Sequence, residues 1–158
     1  MILYHGSNVS VQAIDLNKGR KGKDFGQGFY LSAQYEQAYR MAELTVFKNG
    51  EGTPIVSEFL FDENQARNLK VLRFEGYTKE WAEFIVMNRN NRTGQQAHDY
   101  DIVYGPIADD TVGASISLFV KQYINLDELI RRLRFVEPKF QYFFATPKSL
   151  TTLTSIPK

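Results

Sequence analysis

The alternation of apolar and polar positions divides this chain into short strands and amphipathic helices that follow no regular order. Residues 2–5, Ile2-Leu3-Tyr4-His5, read as a strand, and the run up to Gly28, rich in Gly, Asn, Lys and Asp, reads as a long loop. Loops of that length in compact domains are usually functional. Phe29-Tyr30-Leu31 is a second strand, and Ser32 stands where an N-cap opens a helix bearing Tyr35, Ala38, Tyr39 and Ala42 at helical spacing. Asn49-Gly50-Glu51-Gly52 breaks that pattern. Residues 54–61 resume as a strand with Ile55, Ser57, Phe59 and Phe61 on one face, and residues 69–74 form another. A helix over 77–87 gathers Trp81, Phe84 and Ile85 on one side. Residues 88–99 are a polar loop, and 100–104 a strand ended by Gly105-Pro106.

Asp109-Asp110 then cap a helix bearing Ile116, Phe119, Val120 and Tyr123, and a second helix covers 126–135 until Pro138 stops it. Residues 140–145 are the last predicted strand, after which Thr146-Pro147 opens a helical turn, since Pro suits the first helical position. Strands interrupted by helices without regular alternation predict an α+β fold rather than a doubly wound sheet. With 158 residues, one domain spanning 1–158 is expected.

Composition narrows the chemistry. Twelve Phe and nine Tyr in a chain 43% hydrophobic supply a core without metals or staples. Cysteine is absent, which excludes disulfides, thiolate metal sites and a Cys nucleophile. The balance of 19 Lys and Arg against 18 acids creates no global field toward nucleic acid or anionic lipid. The start, Met1-Ile2-Leu3-Tyr4, lacks the features of a secretory signal, and stretches such as Phe84-Ile85-Val86-Met87 are too short to span a bilayer. A cytoplasmic protein with no membrane partner is the expectation. Without export, the sequons at Asn8 and Asn91 have no consequence. His98 and Asp99 lack a third ligand nearby, so no metal is expected. Asp24-Phe25-Gly26 imitates a kinase metal motif, yet none of the other kinase segments precedes it. The basic edge Arg131-Arg132 with Arg134 reads as a solvated helix face, with contact to an acidic partner or nucleic acid as the alternative.

Three segments carry complementary chemistry: Tyr4-His5-Gly6-Ser7, Gly26-Gln27-Gly28-Phe29-Tyr30-Leu31-Ser32, and Gln141-Tyr142-Phe143-Phe144. A His can donate to a ribose hydroxyl, glycines let backbone groups approach an amide, and a Tyr can stack on a flat ring. Those are the groups a nicotinamide riboside requires. A structural histidine and a core tyrosine are the plain alternatives for His5 and Tyr30 taken singly.

Their order, with His ending a first strand, Tyr in a Gly-Phe-Tyr strand before a helix and a polar residue opening a late strand, resembles the ADP-ribosyltransferase superfamily. It is most similar to the His-Tyr-Glu branch. Leu3-Tyr4-His5-Gly6-Ser7, Lys23-Asp24-Phe25-Gly26 running into Gly28-Phe29-Tyr30, Asn88-Arg89, Tyr100-Asp101-Ile102-Val103 and Gly105-Pro106-Ile107-Ala108-Asp109-Asp110 together resemble a bacterial family of unknown function, number 3990, placed in that superfamily. The resemblance covers nearly the whole chain.

It implies a split β-sheet core with a central NAD cleft and peripheral helices, and NAD as co-substrate without a metal. His5 would bond the nicotinamide-side ribose, Gly6 the carboxamide, and Tyr30 would stack on the nicotinamide. Ser7, Asp24, Gly28, Phe29 and Gln141 complete the implied NAD-binding set. Transfer passes through loss of nicotinamide and an oxocarbenium-like ribosyl centre. Gln141 stands where the branch carries its carboxylate; an amide can bond the 2′-hydroxyl but cannot deprotonate a nucleophile. Lys139, two residues earlier, removes the paired acid of arginine-modifying relatives. Asp109 or Asp110 is the candidate substitute base, helix capping being the alternative role, and Asp24 is the other candidate. The implied partners are a macromolecular acceptor, protein or nucleic acid, and the small antitoxin of a toxin–antitoxin pair. The Gln141 departure also motivates a second reading, a module that binds NAD or ADP-ribose without transfer.

Overall fold

In the computed structural model, which describes residues 1–158 except the side chain of Asp110, the chain forms seven strands and six α-helices among the described residues. The order is β1 (Ile2–Ser7), a 3-10 turn (Leu16–Lys18), β2 (Phe29–Ser32), α1 (Tyr35–Asn49), β3 (Ile55–Phe61), α2 (Glu63–Ala66) and β4 (Val71–Arg73). There follow α3 (Lys79–Arg89), β5 (Ile102–Pro106), α4 (Asp110–Val120), α5 (Leu126–Leu133), β6 (Phe140–Phe144), α6 (Pro147–Leu150) and β7 (Leu153–Ile156). The mixture of one open sheet with several helices agrees with the α+β expectation.

Local chemistry explains where the elements depart from the pattern. Ser32 ends β2 instead of capping the helix: its Oγ accepts from the Gln34 N–H at 3.1 Å, and α1 starts at Tyr35 behind an N-cap Gln34 that makes no side-chain bond. Thr78 caps α3 by accepting from the Trp81 N–H at 3.1 Å, which moves its start to Lys79. The strand expected over 69–74 is only Val71–Arg73, an edge strand paired to β5 alone. β7 was not anticipated. It adds to the free edge of β3 through four antiparallel pairs, from Glu58 with Ile156 to Phe61 with Leu153.

The sheet order is β4-β5-β6-β2-β1-β3-β7, antiparallel throughout except for β4 with β5. Its middle is weakly joined. β1 pairs with β3 at six registered positions and β2 with β6 at four, whereas β1 and β2 share one, Tyr4 with Ser32. The strands therefore diverge beyond Tyr4, and the sheet parts into a four-stranded and a three-stranded half.

Side chains alternate across the sheet and build a core on each face. Leu3, Phe29, Leu31, Phe59, Phe61, Ile102, Tyr142 and Phe144 fill one. Phe25, Phe74, Trp81, Ile85, Val103, Ile116, Leu129 and Phe143 fill the other, beneath α3, α4 and α5. Trp81 is wholly buried and still satisfied, its Nε1 donating to the Pro106 carbonyl at 3.1 Å.

Candidate functional site

The parting between β1 and β2 is where His5 sits. Its Nδ1 lies 2.8 Å from the Tyr30 carbonyl oxygen, so the ring bridges the two strands just where their ladder ends. A carbonyl only accepts, so Nδ1 carries the proton and donates, and the neutral ring keeps a lone pair on Nε2. Burial lowers the His5 pKa below the usual 6.5 and the nearby Lys23 lowers it further, against the opposing bond to Tyr30. The ring stacks on Phe29 with centroids 4.3 Å apart, which fixes its plane. Toward a ribose hydroxyl, His5 is thus an acceptor, not the donor expected from its residue type.

Gly6 follows under α1. A Cβ there would overlap the Ala38 carbonyl and lie 2.8 Å from the Ala42 nitrogen, so the helix can rest on β1 only over glycine. Ser7 donates to Asn8 Oδ1 at 3.3 Å. Gly28 is equally constrained, since a Cβ there would meet the Phe144 carbonyl at 2.5 Å and the Phe143 ring at 2.6 Å.

Tyr30 is anchored at both ends. Its ring packs on Phe143 at 4.8 Å, while its hydroxyl donates to the Gly26 carbonyl at 2.8 Å and accepts from the Phe25 N–H at 3.1 Å. The hydroxyl therefore pins the loop before β2. Burial raises its pKa well above 10. The Lys23 ammonium lies over the ring, 4.7 Å from its centroid.

Gln141 is half-buried on β6, registered with Ser32 on one side and Gly105 on the other. Strand alternation puts it on the same face as Tyr30 and Phe143, in a cross-strand row with Tyr4 and Ser32. Among the described residues its amide makes no side-chain hydrogen bond. His5, two residues from Phe59's partner Leu3, belongs by the same alternation to the other face and reaches the row only through the parting.

The candidate bases fare differently. Asp24 is held by Arg89, whose Nε lies 2.6 Å from its Oδ1, and its carbonyl accepts from Asn88 Nδ2 at 3.1 Å. Asp24 is a loop anchor here. Asp109 is half-buried at the N-cap of α4 but makes no side-chain cap bond, so its carboxylate is not engaged by the helix. The chain reaches it from the end of β5 beside the start of β6, where Ile107 N donates to the Lys139 carbonyl at 2.7 Å; this is the same end of the sheet as Gln141. The side chain of Asp110 lies outside the described residues.

Lys23 is the site residue that the sequence pattern missed, because a loop lysine carries no periodic signal. His98 and Asp99 serve elsewhere: His98 Nε2 donates to the Phe25 carbonyl at 2.8 Å, and Asp99 pairs with Lys70 at 2.7 Å. Among the described residues no three His, Asp or Glu side chains gather to hold a metal ion, and no helix is long and apolar enough to cross a membrane. A groove of about 340 Å³ lies between the loop before β2 and the loop after α3, lined by Asn17, Lys21, Gln27, Asn88, Gln95 and Gln96 among others. His5, Tyr30 and Gln141 do not line it. Gln96 Nε2 fastens the two loops by donating to the Gln27 carbonyl at 2.9 Å, and Gln27 Nε2 closes the first loop on itself by donating to the Gly19 carbonyl at 2.8 Å.

Fold and site together define a mixed α/β domain whose open sheet parts at its centre and holds a neutral imidazole, a clamped tyrosine and an unengaged glutamine around the parting. The profile of a family described as proteins of unknown function, DUF3990, matches residues 1–154, and the chain belongs to that family. Searches among curated proteins and among solved structures found no match.

Proposed function

We propose that this protein is an NAD-dependent ADP-ribosyltransferase that passes ADP-ribose to a macromolecular acceptor in the cytoplasm, as the toxin of a toxin–antitoxin pair. The observation that carries the reading is the parting of β1 from β2 at Tyr4 and Ser32, with His5 bonded across it to Tyr30. Three residues far apart in sequence, His5, Tyr30 and Gln141, come to adjacent strands, as the resemblance of the chain to the His-Tyr-Glu transferases requires.

In this reading the Nε2 of His5 accepts from a hydroxyl of the nicotinamide-side ribose and Tyr30 offers its ring to nicotinamide. The bond from the ribose C1′ to the nicotinamide nitrogen breaks, and nicotinamide leaves with the electron pair. Gln141 orients the ribose through its 2′-hydroxyl. A nucleophile of the acceptor then bonds to C1′ and gives up its proton, which Gln141 cannot take. Asp109, unengaged at the same end of the sheet, is the carboxylate assigned to receive it.

The neutral amide of Gln141 favours one competing reading, a module that holds NAD or ADP-ribose without transfer. Incubating the purified protein with NAD labelled on the adenylate phosphate and a bacterial extract separates the two. Label on macromolecules with free nicotinamide, both lost in a His5→Ala, Tyr30→Ala variant, supports the transferase. Saturable NAD binding with neither product supports the module. For the toxin role, expression should arrest growth and His5→Ala should relieve it; unimpaired growth with soluble wild-type protein would count against it.

A further inference from the structure

We propose that Lys23 is a specificity-determining residue of this site, making it select phosphorylated nicotinamide nucleotides over nicotinamide compounds that lack phosphate; the inference rests on the functional reading above. The Lys23 ammonium lies 4.7 Å from the centroid of Tyr30, the ring on which that reading stacks nicotinamide. A cation over an aromatic face is held by the ring quadrupole, and one face admits one occupant. Nicotinamide joined to ribose is itself a cation. It must expel the ammonium before it can stack.

Where the expelled ammonium goes decides the affinity. Lys23 is exposed as a residue, yet partial desolvation of its ammonium over the ring lowers its pKa, and Arg20 on the same loop and Lys48 near the end of α1 lower it further, while Asp24 opposes them. The Asp24 carboxylate is already bonded to Arg89 at 2.6 Å. Among the described residues, none of Arg20, Lys23 and Lys48 has an ion-pair partner. The Lys23 ammonium over Tyr30 therefore feels two further cations that have no ion-pair partner, and the one nearby carboxylate is already taken by Arg89. A ligand that brings phosphate gives the displaced ammonium a charge-assisted hydrogen bond, and a ligand that brings only a pyridinium adds a fourth cation. The free protein thus binds the second kind more weakly than the first.

The test compares nicotinamide riboside, nicotinamide mononucleotide and NAD binding to the wild-type chain and to Lys23→Met, which keeps the side-chain length without the charge. Lys23→Met should bind the riboside on the order of three- to tenfold more tightly than wild type, the size of one lost cation–π contact. The mononucleotide and NAD should bind no more tightly, so the preference for phosphate collapses. Lys23→Arg should restore it. Equal weakening of all three ligands in Lys23→Met indicates a merely structural lysine and overturns the inference, as does an unchanged preference. If the wild-type chain binds none of the three, the functional reading itself falls and the inference with it. That outcome is distinct from binding without a Lys23 effect.

Discussion

Replacing Tyr30 by Phe removes one oxygen and tests the anchoring role of the hydroxyl apart from the ring. The hydroxyl donates to the Gly26 carbonyl at 2.8 Å and accepts from the Phe25 N–H at 3.1 Å, and both of those residues are buried. Phe cannot replace either bond, and water has little access to the two backbone groups left behind. Two neutral hydrogen bonds lost with their partners buried cost about 2 kcal/mol in all. In a chain of this size that lowers Tm by about 4–8 °C. Urea unfolding of both proteins measures the loss, and amide hydrogen exchange localises it, with the Phe25 N–H exchanging faster than in wild type. The ring and its packing on Phe143 remain, so NAD binding should persist in Tyr30→Phe and vanish in Tyr30→Ala. A Tyr30→Phe protein as stable as wild type, with Phe25 exchange unchanged, would refute the anchoring argument.

Gly6→Ala forces a methyl into the Ala38 carbonyl of α1 and should cost about 2–3 kcal/mol by overpacking, read by urea unfolding; a loss under 0.5 kcal/mol would mean the helix yields freely. Asp24 and Arg89 form a largely buried pair, so a double-mutant cycle of Asp24→Asn and Arg89→Met should give a coupling of about 1–2 kcal/mol, and a value near zero would remove the pair from the loop's anchors. Burial lowers the pKa of His5 and of His98 below 6.5, so the unfolded chain binds protons that the folded chain refuses. Their contribution to stability is complete above the unfolded value near 6.5 and is lost as pH falls through the lower folded values. Stability should fall from pH 7.5 to 5.5, and His5→Gln should flatten that fall; an NMR titration placing His5 above 6.5 would contradict the assigned tautomer and burial.

The strands at residues 2–5, 29–31 and 140–145 were legible because alternation there is dictated by burial on two sheet faces, a local consequence of local residues. α2 and β7 were not. Four residues suffice for α2 because Asp62 accepts from the Asn64 and Gln65 N–H groups at 3.0 and 3.3 Å, and β7 exists because β3 has an edge to pair with. Ser32 carried a cap signal that strand pairing overrode, since its registered partners Tyr4 and Gln141 hold it in β2. Among the site residues, the types and order of His5, Tyr30 and Gln141 marked them as the positions to follow, while their arrival on adjacent strands and the direction of the His5 hydrogen bond could not be read.

By itself the sequence determined the α+β class, the family pattern, the absence of cysteine chemistry and the residues worth following, because composition and period are properties of short segments. Tertiary structure alone decided that β1 and β2 share one registered pair, that His5 donates across the gap, that Asp24 is tied to Arg89 and that Lys23 covers Tyr30. Each of these depends on the distance between segments remote in the chain, or on where a loop closes back. Such distances are set by the packing of the whole core, to which no single segment holds the information.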